Sequence, residues 1–276
     1  MPQKSKYVLS LIFALISILS FVTYVESAEK KIDDEIILKL LDGKEYEKAS
    51  IEIKKAFKIN PKCAFCYFAQ GYIFEQQDAR SEAMQNYNKA IELSPDNPFF
   101  YYYRGKLNLN MGIFQMGSFN QDKYKQGVRL AIEDFTKAIQ LKPNNIDLYY
   151  RERADAYMYC AEYEKALLDF ERLIPLQEKN VSLLCNIGKC YLESNNPDKA
   201  LVYLLEANND EGISDICLAD IALAYSLKNE KDRATDFLEM AVNRNEYIAQ
   251  FGINEYDPRW DNIRETEKFR RVKKHQ

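Results

Sequence analysis

Cys63 and Cys66 form the spacing in this chain with the most obvious reactive chemistry: a C-x-x-C just after Pro61, at the start of a predicted helix. A helix N-terminus lowers a thiol pKa, and two cysteines at this spacing can exchange between dithiol and disulfide. No strand-like segment precedes the motif as it does in thioredoxin-like folds. The other common chemistries fail on inventory. The single histidine, His275, is the penultimate residue, which removes a Ser-His-Asp triad or a multi-histidine metal site from the body of the chain. The nine glycines form no phosphate-cradling loop, and the carboxylates are scattered over polar helix faces. Neither catalysis, a metal nor a cofactor is expected.

The elements that would hold these residues follow a rhythm. Ala49, Ala83, Ala131, Ala166, Ala200 and Ala234 open similar phrases, with successive gaps of 34, 48, 35, 34 and 34 residues. A period near 34 predicts stacked helical hairpins, each burying its apolar face only against its neighbours. Around Ala83 stand Tyr67, Gly71, Phe74, Tyr87, Ala90 and Pro95, at repeat positions 4, 8, 11, 24, 27 and 32 with Ala83 at 20. Positions 4, 8 and 11 share one face of a first helix, A, and 20, 24 and 27 one face of a second, B.

This pattern resembles the tetratricopeptide repeat. In that family large residues at 4, 11 and 24 fill each hairpin, and small ones at 8, 20 and 27 let helix backbones approach. The resemblance implies an all-α, right-handed solenoid of about six hairpins over residues 28–249. Residues 181–214 and 215–248 match well, and 147–180 match less closely late on, where Leu173 and Glu178 replace the expected alanine and proline. Residues 30–63 are degenerate in helix A, with Asp33 at position 4, as a terminal repeat often is. The third unit carries 14 extra residues, placed near 111–127, which would either lengthen helices or build a loop at the array edge. Beyond the array, residues 250–276 are expected to form a cap: Trp260, Ile263, Phe269 and Val272 are spaced to bury one face of a closing helix. Residues 264–276 also form a basic tail, with six Lys or Arg against two Glu.

The resemblance further implies a binding groove lined by helix A positions 2, 5, 9, 12 and 13. On this chain the candidate contacts are Phe65, Phe68, Tyr72, Phe99, Tyr102 and Lys106 in an aromatic half, with Arg151 and Tyr159 in a more polar half that includes Asp155, Met158, Lys189 and Glu193. An exposed aromatic stripe would suit an apolar helix or an extended peptide; coverage of those rings by inter-repeat packing is the alternative. The carboxylate clamp of tetratricopeptide co-chaperones is not matched, since Phe68, Tyr72, Tyr103, Leu148 and Glu152 stand at its positions when counted from the second unit. Cys66 and Cys217 at position 3, and Cys190 at position 10, read as small packing residues. Cys185 at position 5 faces the groove, and neither it nor Cys160 has an obvious partner.

Residues 1–27 read as a signal peptide: Lys4 and Lys6, an uncharged run from Tyr7 to Val25, then cleavage after Ser27. That run is long enough for an uncleaved anchor to be the alternative. Either way the array is expected to be exported, periplasmic or secreted, or held by an N-terminal membrane anchor. With 38 basic and 42 acidic residues there is no basic excess for nucleic acid. The expected role is a non-catalytic scaffold for a protein or peptide of unknown identity, touching membrane only through the anchor or the basic tail. The alternatives are a redox or disulfide-handling factor using Cys63 and Cys66, and a glycan or lipid binder using the aromatic groove.

Overall fold

The computed structural model describes residues 34–114, 121–175, 180–208, 215–244 and 257–274. The signal or anchor reading of residues 1–27 lies outside the described residues, as do Gly117, Phe119 and His275. The chain divides into two compact units, Met1–Leu107 and Asn108–Gln276. Among the described residues every regular element is helical.

The first unit holds α1 (34–42) with α2 (Tyr46–Ile59), α3 (Ala64–Gln76) with α4 (Arg80–Leu93), and the start of α5 (Pro98–Phe114). The second holds the end of α5 with α6 (Gln121–Gln140). It continues with the hairpins α7 (Ile146–Tyr159) and α8 (Tyr163–Leu173), α9 (Val181–Glu193) and α10 (Pro197–Ala207), and α11 (Asp215–Leu227) and α12 (Lys231–Arg244). A 3-10 turn (Pro258–Trp260), α13 (Asp261–Arg264) and α14 (Glu267–Lys274) follow.

The six recurrent alanines are fully buried. So are the residues four later, Tyr87, Phe135, Phe170, Leu204 and Leu238, with Ile53 nearly so. Each such side chain taken from water stabilises its hairpin by roughly 1.5–3 kcal/mol. In the second and fifth repeats position 8 must be small because it faces position 24 of its own repeat: a methyl on Gly71 would lie 2.8 Å from the Tyr87 ring, and one on Gly188 2.4 Å from Leu204. Leu173, where the pattern expects alanine, is fully buried, so that hairpin accommodates the larger group.

Five hairpins share one turn. Lys44, Asp78, Ala161, Asn195 and Asn229, each five residues before the marker alanine, adopt positive φ between 56° and 60°. The next residue's N–H bonds back across the helix end, as in Glu45 to Leu40 O, Ala79 to Phe74 O and Asn196 to Tyr191 O, which satisfies carbonyls the helix leaves open. Helix starts are capped by side chains in places. Asn180, the first residue of an Asn-Val-Ser sequon, accepts from Leu183 N–H at 2.8 Å, and Asn196 accepts from Lys199 N–H just ahead of Pro197.

In the third hairpin the residue five before the marker alanine, Gln126, lies within a helix, because the extra residues extend the helices on both sides. α5 has 17 residues and α6 has 20, against 11 to 14 elsewhere in the hairpins from α2 to α12. The two long helices meet at Gly112 and Gly127, where a methyl on Gly127 would come within 2.7 Å of Gly112 Cα.

At the C-terminal end Trp260, Ile263, Phe269 and Val272 are all buried, in one core with residues of α11 and α12 such as Leu218, Leu238 and Val242. Ser226 at the end of α11 donates to Arg259 O at 2.7 Å and accepts at its carbonyl from Asn262. In the first hairpin α1 still buries Ile37 and Leu41, although Ile37 stands at position 8, where the later repeats carry glycine or alanine.

Candidate binding groove

In the first unit the aromatic half of the expected groove is largely a packing cluster. Phe68 is 1% exposed and Tyr102 6%, which corrects their assignment as exposed contacts. The reason is geometric. Phe68, at position 5 of α3, meets Phe99 and Tyr103, at positions 2 and 6 of α5, with ring centroids 4.8 and 5.0 Å away, while Phe100 lies at 5.6 Å. Phe65 and Tyr72 border the same rings and, like Phe99, remain partly exposed. Lys106 places its ammonium 5.5 Å from the centre of the Tyr102 ring. Tyr87 donates to Glu75 Oε2 at 2.6 Å, and burial raises the Glu75 carboxyl above its ordinary range. Replacing Phe68 would therefore disturb packing before it disturbed any interface.

The second unit contains a cavity of about 550 Å3 on the face where helix A positions 9, 12 and 13 converge. Its wall is built from Leu109, Asn110 and Ile113 of α5, Glu152, Asp155, Met158 and Tyr159 of α7, Tyr163 of α8, and Asn186 and Lys189 of α9. Tyr159, expected as a contact, lines it and is 41% exposed. Arg151 is partly exposed on α7 but is not part of the lining. The extra segment of the third repeat reaches this site twice. Ile113 lines the cavity, and the Tyr124 hydroxyl donates to Tyr159 O at 2.6 Å, tying α6 to the rim.

Beneath the rim, Arg153 holds the hairpin wall. Its guanidinium grips Asp169 with two bonds of 2.7 and 2.8 Å, donates to Thr136 at 3.0 Å, and lies over the Tyr150 and Tyr157 rings.

Two carboxylates on the groove helices are perturbed. Burial pushes Asp155 up to about 6, with Glu152 adding and Arg151 opposing. Burial likewise pushes Asp220 of α11 to about 6, opposed by Lys189 and Arg259 and reinforced by Glu193. A folded pKa above the unfolded one means the folded chain binds protons more readily, so this contribution to stability falls as pH rises from about 4 to 6. Asp220→Asn is expected to raise stability at pH 7.5 by about 2 kcal/mol and to change it little at pH 4. Urea titrations at both pH values check this; an equal shift at each would show that the ionised carboxylate is not the cause.

The cysteines depart from expectation. Cys63 and Cys66 form a disulfide, with Cys63 6% exposed and Cys66 fully buried. An external thiolate must reach a sulfur to exchange with it, and burial at the start of α3 obstructs that approach. Cys185, for which no partner was evident, is bonded to Cys217. Position 5 of one helix A lies beside position 3 of the next, which brings the two Cα atoms to 5.7 Å. Cys190 is a buried thiol pushed up to about 12, consistent with a packing role, while Cys160 is a partly exposed thiol, also raised by burial. Among the described residues no group of His, Cys, Asp and Glu is placed to hold a metal ion, and no helix is long and apolar enough to cross a membrane.

Two family models match: TPR repeat over residues 80–112 and tetratricopeptide repeat over residues 181–209. Tetratricopeptide repeats are thus recognised in these two stretches of the chain. Solved structures of such proteins share the fold. YrrB, described as a TPR protein with an unusual peptide-binding site, is 18% identical with a TM-score of 0.59, over 70% of this chain and 92% of its own. The Pseudomonas aeruginosa pilF protein is 14% identical, with a TM-score of 0.58, over 89% and 97%. PilW, a type IV pilus biogenesis factor, is 14% identical, with a TM-score of 0.55, over 84% and 96%. At these identities the likeness concerns the fold.

Proposed function

We propose that this tetratricopeptide array is a non-catalytic scaffold that binds a protein or peptide partner in the groove of the second unit. The cavity between α5, α7 and α9 carries this reading. It combines apolar walls at Leu109, Ile113 and Met158 with polar groups at Asn186 and Lys189, the mixture that binds and orients a ligand. The peptide-binding site named for YrrB is consistent with such a role in this fold. Peptides selected from a random display library on the immobilised array should bind in solution, and Tyr159→Ala with Met158→Ala should weaken them at least tenfold. Undiminished affinity in that variant would place the interface elsewhere.

The same reading puts the array outside the cytoplasm. The apolar N-terminal run supports export, and two disulfides suit an oxidising compartment. Chain recovered from its own cells under alkylating conditions should show two reactive thiols, Cys160 and Cys190, after denaturation without reductant. Six would contradict the assignment.

A further inference from the structure

We propose that the cavity of the second unit holds a lysine or arginine side chain of the bound peptide, with Asp155 as its counter-ion. This rests on the groove being the binding site. Asp155 makes no ion pair among the described residues; its polar contact is a long bond of 3.4 Å donated by Asn186. The surrounding charges do not neutralise it. On its own helix the repulsion from Glu152 outweighs the attraction of Arg151. From α9, Lys189 lines the same cavity, but the carboxylate it attracts is Asp220 on α11, and the charges acting on Asp155 are those of Glu152 and Arg151. Burial already lifts Asp155 to about 6, and a cation placed beside it would offset that cost. Leu109, Ile113 and Met158 would pack along the aliphatic stem while the charged head reaches the carboxylate.

Met158 lies in the wall, so its methyl resonance in chain labelled with 13C-methyl methionine reports occupancy directly. The probes are N-acetyl-arginine methylamide, N-acetyl-lysine methylamide, and the neutral citrulline and norleucine counterparts, titrated into the full array at pH 7.5. The cationic pair should shift the Met158 signal saturably, with affinity at least fivefold above the neutral pair. Asp155→Asn should erase that preference, and Lys189→Met should keep or strengthen it. Equal affinity for charged and neutral probes, or a preference that survives in Asp155→Asn, overturns the counter-ion assignment while leaving the groove in place. Silence of Met158 toward every probe overturns both.

Discussion

Gly127→Ala is expected to destabilise the second unit by about 3 kcal/mol or more, the upper range for overpacking. The added methyl would meet Gly112 Cα at 2.7 Å, Gly112 N at 2.8 Å and the Asn108 carbonyl at 2.9 Å. All three are backbone atoms, so no rotamer change relieves the clash and α5 and α6 must separate. Separation would also disturb the buried bond from Asn108 to Asp134 at 3.1 Å and the Tyr124 bond to the groove rim. Gln126→Ala, an exposed change on the same helix, should stay within about 0.5 kcal/mol. Thermal and urea unfolding of both variants checks the contrast. An unaltered midpoint for Gly127→Ala would mean that the helices cross more loosely than the structure has them.

Asp169→Ala should cost about 3–5 kcal/mol, the range for breaking one side of a buried ion pair. Its side chain is 4% exposed and that of Arg153 15%, so removing the carboxylate strands a guanidinium with little water to solvate it. The pair joins α7 to α8, and Thr136 extends it to α6, so the loss should spread to the groove wall carried by α7. Arg153→Met together with Asp169→Leu should recover much of the stability, because an apolar pair of similar volume leaves no buried charge. If the double variant were as unstable as the single one, packing rather than charge burial would account for the loss.

Much of the fold was legible in the sequence because its rules are local. A residue at position 8 faces position 24 of its own hairpin, so Gly71 and Gly188 follow from the size of Tyr87 and Leu204. The cap was readable for the same reason, since Trp260, Ile263, Phe269 and Val272 form one apolar face at helical spacing. The αL turn residues were harder to see. Asn195 and Asn229 are common in that conformation, whereas Lys44 and Ala161 are not, and the surrounding helix ends impose it on them.

The groove was legible as a face and not as a set of contacts. Position numbering put Tyr159 and Asp155 on the wall of the cavity, but the same rule put Phe68 and Tyr102 there, and both are buried. The Phe68 ring at position 5 fills the space between the A helices α3 and α5, a question of volume that spacing does not address. Cys185 and Cys217 stand 32 residues apart, two short of a repeat, which is the offset that sets position 5 beside position 3 of the next helix. The pairing follows from that offset between repeats and not from the position of either cysteine taken alone.

By itself the sequence determined the period, the hairpin interior, the buried alanines and the closing cap, since each depends on side-chain size at a fixed helical offset. It also located the irregular third repeat. Tertiary structure decided what that irregularity does: the extra residues lengthen α5 and α6 and bring Ile113 and Tyr124 to the groove. It decided equally which aromatic rings pack and which meet solvent, which cysteines bond, and where Asp155 is left partly buried with no ion pair among the described residues. These depend on distances between helices of different repeats, which side-chain type and spacing along one helix do not specify.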